Sequence, residues 1–275
     1  MARLRLGEVF GYKAENRSAE AQDVTRRKWC PFRNVPCTKD NARDPLGVCS
    51  LAGESGLVIT CPSRFRERDI IFRHAAVFAF GSDDGTAVIA EVPFLRSTAG
   101  PARLGKIDYV IVKHKEGRLA DFCALEVQSV YMSGASMRAE FVHYVETGEI
   151  VEPQRERHAD YRSSSHKRLM PQLMIKVPAL RRWGKKVIVA IHDDFFGWLP
   201  PCPVVDESNA ELTWLVYRAE DQGDRYRLHL KQTVPTTLEN AITSLTAAVP
   251  PPRQEFESQL QQALRQQLAG RGANG

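Results

Sequence analysis

An α/β fold is predicted by three features of the sequence. Short runs rich in Val, Ile, Phe and Tyr recur between residues 75 and 131 and again at 186–192. A helical pattern fills 163–183 between them, and Gly, Asp and Pro bound the runs. In chain order, residues 1 to about 75 come first and differ in texture. Pro31, Pro36, Pro45 and Pro62, with Gly47, Gly53 and Gly56, interrupt any apolar period, so a turn-rich segment in need of a staple is predicted. Ala75 to Phe80, Ala87 to Val92, Ile107 to Val112 and Phe122 to Tyr131 each read as strands. Lys115-Glu116-Gly117-Arg118 reads as the hairpin turn between the last two. Ser163 to Trp183 places Leu169, Met170, Leu173, Met174, Val177 and Leu180 near one side of a helix, which Pro171 and Pro178 should break or kink. Lys186 to His192 is a further buried strand, and His192-Asp193-Asp194 reads as its end, capped into an aromatic loop. After Pro250-Pro251-Pro252, Phe256, Leu260, Leu264 and Leu268 recur every four residues as the stripe of a docking helix, and residues 270–275 should be disordered. The expected organisation is a module over 1–75, a core over 76–250, and a helix with a tail over 251–275.

Composition excludes several classes. A chain of 275 residues, 43% hydrophobic and 26% charged, is neither disordered nor collagen-like and can bury a real core. No run approaches the roughly 18 apolar residues of a membrane span. Met1 to Phe10 alternates Arg and Leu without the apolar stretch of a secretory signal, so a cytoplasmic protein is expected. Six cysteines in a chain this long do not make a disulfide framework.

The net charge of +5 is unevenly spread. From Arg155 to Lys186 there are ten Lys and Arg residues against Glu156 and Asp160 alone. Such an excess suits a polyanion, because counterion release drives phosphate binding; the plain alternative is a solvated helix face.

Cys30, Cys37, Cys49 and Cys61 are separated by six, eleven and eleven residues, and prolines follow two of them in Cys30-Pro31 and Cys61-Pro62. Four thiolates suit one tetrahedral ion, zinc or iron, with no open position and hence a structural role. Buried free cysteines are the alternative.

Asp108 lies in Lys106-Ile107-Asp108-Tyr109-Val110-Ile111, and Glu126 and Gln128 lie in Leu125-Glu126-Val127-Gln128-Ser129. Strand alternation turns Glu126 and Gln128 to one face, and a hairpin between the two segments brings Asp108 close to them. Carboxylates within apolar strands are costly unless paired or holding a cation. Metal-dependent nucleases use such an arrangement to bind Mg²⁺ against a scissile phosphate. The alternative leaves Asp108 at a turn and Glu126 on a solvated sheet face.

Taken together, the four cysteines ahead of Asp108 and Glu126-Val127-Gln128 resemble the NotI-type restriction endonucleases over roughly residues 20 to 200. The resemblance implies a PD-(D/E)xK nuclease core, a mixed central sheet flanked by helices, behind a small N-terminal module whose four cysteines hold iron. It implies Asp108 and Glu126 as Mg²⁺ ligands, Gln128 in the usual lysine position and Glu91 as an upstream acid. Cleavage of palindromic, GC-rich double-stranded DNA by a homodimer, with a methyltransferase as genetic partner, also follows from it. Arg155, Arg157, Arg162, His166, Lys167 and Arg168, around the run Ser163-Ser164-Ser165, then become candidate DNA contacts. Three rivals remain: a non-catalytic DNA-binding regulator stapled by the cysteines, a repair-type nuclease of the same core acting on RNA or DNA ends, and a redox iron protein that the four thiolates would allow.

Overall fold

The computed structural model describes residues 4–54, 56–96, 103–247 and 251–272. By contacts the chain divides into a unit Met1–Leu245 and a second unit Thr246–Gly275. The first unit is built on a six-stranded sheet in the order β14-β13-β12-β9-β8-β7. It is preceded by a four-stranded sheet, β2-β1-β5-β6, made of β1 (Arg5–Val9), β2 (Tyr12–Lys13), β5 (Val48–Gly53) and β6 (Gly56–Ile59). Helix α1 (Ala19–Arg26) and the small hairpin β3 (Trp29–Cys30) and β4 (Val35–Pro36) are inserted between β2 and β5.

In the main sheet, β7 (Thr86–Arg96), β8 (Arg103–Lys115) and β9 (Arg118–Gln128) form an antiparallel meander. The β8–β9 turn is the one read from the sequence: Glu116 and Gly117 both take left-handed φ, 51° and 75°, as a two-residue hairpin of matching twist requires. β12 (Val187–His192) lies parallel to both β9 and β13 (Leu212–Asp221), and β14 (Tyr226–Thr236) closes the far edge antiparallel. Between β9 and β12 the chain makes the long crossover that a parallel pair demands. It runs through a small β10–β11 pair (Met132–Gly134 and Arg157–Ala159), α3 (Arg138–Thr147), the short α4 (Tyr161–Ser163), a π-helical turn (Ser164–Leu169) and α5 (Met170–Arg181). Helices α6 (Asp193–Trp198) and α7 (Leu238–Thr246) complete the first unit, and α8 (Arg253–Gly272) makes up most of the second.

Each face of the sheet has its own apolar layer. Leu173, Val177 and Leu180 of α5 pack with Val189, Ile191 and Trp214 on one face. Ile71, Phe72 and Ala75 of α2 (Ile70–Phe80) pack with Ile188, Ala190 and Leu215 on the other. Every residue of β12 is buried, as expected of a central strand covered on both sides. Full burial of each such aliphatic side chain contributes roughly 1.5–3 kcal/mol.

Several expectations change. Ala75 to Phe80 belongs to a helix, not a strand: this apolar run carries no turn signal until Gly81, which caps it in the left-handed conformation. Residues before 75 are more ordered than their prolines implied, since Leu6, Val48 and Leu51 are fully buried in the same apolar cluster as the α5 face. The predicted break at Pro171 falls at the first turn of α5, where proline fits, while Pro178 is accommodated inside the helix. Ser164 and Ser165, in the run between the candidate DNA contacts, are buried and helical. α8 continues to Gly272, past the onset expected for disorder, and residues 273–275 lie outside the described part.

A buried ion network joins the two sheets. Arg64 and Glu8 are wholly buried, with Arg64 Nε 2.9 Å from the Glu8 carboxylate and Nη1 2.8 Å from Glu67. Glu67 in turn accepts from Arg227 at 2.7 Å and from the Leu228 amide at 2.8 Å, both on β14. Replacing Arg64 by Met leaves the buried Glu8 carboxylate without a cation and Glu67 with Arg227 alone, and should cost about 3–5 kcal/mol in urea unfolding. Adding Glu8→Gln to that variant should restore part of the loss. Near-wild-type stability of Arg64→Met would show that the network does not hold the sheets together.

Candidate active site

The β8–β9 register places Tyr109 opposite Leu125, so the next pair along the ladder is Asp108 and Glu126. Both project to the α5 face, and the Asp108 carboxylate accepts the Val127 amide at 2.9 Å. Glu126 is 2% exposed, while Asp108 is half-buried at the floor of a cleft of about 1360 Å³. Burial pushes the Glu126 carboxyl up to about 7, and the nearby Asp108 charge adds to the shift. Asp108 is raised for the same first reason, with Glu91 among the charges that lift it. Two acids that resist ionising side by side form a site that gains from a cation.

Gln128 and Glu91 both line this cleft. The Gln128 amide donates to the Ser129 carbonyl at 2.5 Å. Glu91 is exposed, ion-paired with Lys106 at 3.1 Å, and holds φ at 54° inside β7. Left-handed backbone at a glutamate costs on the order of 1 kcal/mol, and the surrounding ladder holds it there. The structure therefore gathers Asp108, Glu126, Gln128 and Glu91 on three neighbouring strands, where β9 ends against the middle of β8 and β7.

The expected DNA contacts separate. Lys167 and Arg168 line the cleft, and Arg168 lies 4.3 Å over the Tyr131 ring. Tyr131 is anchored through its amide to Ser164 Oγ at 2.8 Å. Arg162 is exposed, and His166 is half-buried on the same helical run. Arg155 is exposed beside a smaller cavity that it lines with His143 and Glu140. Arg157 is not a surface residue: it is buried and paired with Glu140 at 2.5 Å, because its strand position turns it onto α3. The cleft instead gains Arg33, Lys39 and Arg138. Arg138 is fixed by Asp44, at 2.5 Å, and Lys39 by the Thr60 carbonyl, at 2.8 Å. Lys176, counted among the ten basic residues of the sequence, is 4% exposed and bonds Glu126 Oε1 at 2.7 Å.

All four N-terminal cysteines line one cavity of about 360 Å³. The β3–β4 hairpin brings in Cys30 and Cys37, β5 carries Cys49, and the chain leaving β6 supplies Cys61. Burial raises the Cys30, Cys37 and Cys49 thiols, and proximity to Cys61 raises each further. Among the described residues, no three His, Cys, Asp or Glu side chains are drawn together closely enough to hold an ion, at this cavity or at the acids. The thiols converge without closing into the tetrahedron that the sequence implied.

His192-Asp193-Asp194 is structural. Asp193 pairs with Arg218 at 2.8 Å and Lys231 at 3.2 Å, and Asp194 accepts from the Tyr161 hydroxyl, whose ring stacks on Phe195 and Trp198. Among the described residues, no helix is long and apolar enough to cross a membrane.

Comparison with known proteins gives one result. No curated protein matches the chain. The family described as "Restriction endonuclease NotI" matches residues 8–228, a span that takes in the four cysteines and the whole acidic site. The chain belongs to the NotI restriction endonuclease family and is a type II restriction deoxyribonuclease.

Proposed function

We propose that this endonuclease hydrolyses DNA phosphodiesters with Mg²⁺ at a palindromic, GC-rich site, working as a homodimer on a PD-(D/E)xK core. The observation that carries the reading is the pairing of Asp108, which lines a cleft edged by Arg33, Lys39, Arg138, Lys167 and Arg168, with Glu126 buried directly beside it. Basic walls around an acidic floor seat a phosphate backbone while keeping the acids for a cation. Asp108 and Glu126 would be the ligands, with Glu91 beside them. Mg²⁺, when bound, supplies charge neutralisation at the phosphate and a lowered pKa for water. Gln128 is neutral and orients water by hydrogen bonds without taking its proton. The twofold symmetry of a palindrome suits two copies of the chain, and a methyltransferase of the same specificity would protect the host's own sites.

We also assign the 1–75 segment as a structural metal module. Thiols that raise one another's pKa in a shared cavity fit a soft cation, zinc or iron, which would bind them as thiolates. That ion would hold the Cys30–Cys37 hairpin, from which Arg33 enters the cleft wall.

Digestion of unmethylated circular DNA with Mg²⁺ tests the catalytic reading. Discrete linear products are expected, and Asp108→Ala or Glu126→Ala should slow cleavage by roughly a thousandfold while DNA binding persists. Unimpaired cutting by either variant would remove the assignment. The raised Glu126 pKa sets a pH dependence. Below about 7 the metal-free site holds a proton that Mg²⁺ must displace, so half-saturating Mg²⁺ should rise by up to about tenfold per pH unit on acidification and level off above pH 7. Identical Mg²⁺ titrations at pH 6 and pH 8 would refute this. For the thiol cavity, elemental analysis should find one zinc or iron per chain, and Cys49→Ala should lose it and lower Tm by on the order of 5 °C. A metal-free preparation whose Tm ignores strong chelators would leave the cysteines as packing.

A further inference from the structure

Lys176 occupies the second turn of α5, on the face that carries Leu173, Val177 and Leu180 into the core. An ammonium group in such surroundings is costly unless it is paired, and an apolar side chain of the same length would pack there without that cost. Two of its three donors are committed in a specific way. Nζ lies 2.7 Å from Glu126 Oε1 and 2.7 Å from Gln172 Oε1. Gln172 precedes Lys176 by one helical turn, so both lie on one face of α5. Gln172 also lines the cleft, on the helical run that presents Lys167 and Arg168 to it. A continuous polar path therefore leads from the cleft wall through Gln172 and Lys176 to the buried Glu126. On the strand itself the nearest equivalent position holds Gln128, which is neutral.

We propose that Lys176, seated by Gln172, is the positioning residue for Glu126. It fixes the carboxylate through Oε1, so that Glu126 and Asp108 face a divalent cation as a preorganised pair. It also ties that orientation to the helix whose N-terminal end meets the DNA. The inference rests on the Mg²⁺ reading of the acid pair and adds the group that aligns it. Lys176 does not line the cleft, so it acts through Glu126 and not on the phosphate.

The test is calorimetric titration of Mg²⁺ into the metal-free, DNA-free full chain, beside single-turnover cleavage of circular DNA. The variants are Lys176→Met, which keeps length and loses charge, and Gln172→Leu, which leaves the lysine but removes its seat. Lys176→Met should weaken Mg²⁺ binding at least tenfold and slow cleavage at saturating Mg²⁺ at least a hundredfold. DNA affinity without metal should stay within twofold. Gln172→Leu should move both quantities the same way by a smaller factor, and it decides the matter if Lys176→Met does not fold. Wild-type Mg²⁺ affinity and rate in the variants would overturn the proposal, even if Lys176→Met lost stability, because the lysine would then be only a core ion pair. Tighter Mg²⁺ binding by Lys176→Met would also overturn it, marking the lysine as a competitor for the cation's place. A wild-type chain that neither binds Mg²⁺ nor cuts would instead bring down the nuclease reading, and this inference with it.

Discussion

Arg64 is the constraint on which the relative placement of the two sheets depends. Its guanidinium is wholly buried between Glu8 of the N-terminal sheet and Glu67 of the 3₁₀ turn Pro62–Asp69, and it donates to the Tyr226 carbonyl on β14 at 2.9 Å. The same group lies 4.8 Å over the Phe32 ring, inside the Cys30–Cys37 hairpin. One planar, permanently charged fork thus touches the cysteine hairpin, the first sheet and the edge of the second. Burying so many charges is favourable only when each finds its partner, so the arrangement tolerates one geometry and not a range of them. The cleft inherits that precision, since its walls come from both sides of the joint.

Charge is sorted by depth around the site. Asp108 faces the cleft with Glu126 buried beside it, on strands whose register fixes their spacing, while the cations of the rim stand on loops and helical turns. Asp44 restrains Arg138, and Tyr131 supports Arg168, so part of the rim is ordered before any ligand arrives. Preordered side chains lose less entropy on binding than free ones.

The sequence was most legible where local rules decide the outcome. Alternation and the Glu116-Gly117 turn were enough to bring the Asp108 and Glu126 strands together, but a two-residue turn alone sets Asp108 opposite Leu125; a bulge between Lys113 and His114, which no local signal announces, shifts the ladder by one and brings Glu126 opposite instead. The strand at 187–192 was equally plain, being an apolar run too short for a helix. Long-range packing was not legible. Residues before 75 look like loop because their strands are short and prolines interrupt them, yet they are held by the core of another segment. Arg157 and Lys176 read as surface charge, and only the fold reveals Glu140 and Glu126 waiting for them. Arg33, Lys39 and Arg138 carried no signal beyond their charge. Their meeting across the cleft joins segments about a hundred residues apart in sequence.

The left-handed Glu91 has a consequence for the molecule's behaviour in concentrated solution. β7 is an edge of the main sheet, and a long regular edge offers unpaired amides and carbonyls to any passing strand. Here the backbone reverses its twist at Glu91, Pro93 brings no amide hydrogen, and the ladder shifts register twice before Arg96. A neighbouring chain that began to pair with β7 would lose alignment within a few residues. The backbone distortion that aims a carboxylate toward the cleft also makes this edge a poor template for aggregation.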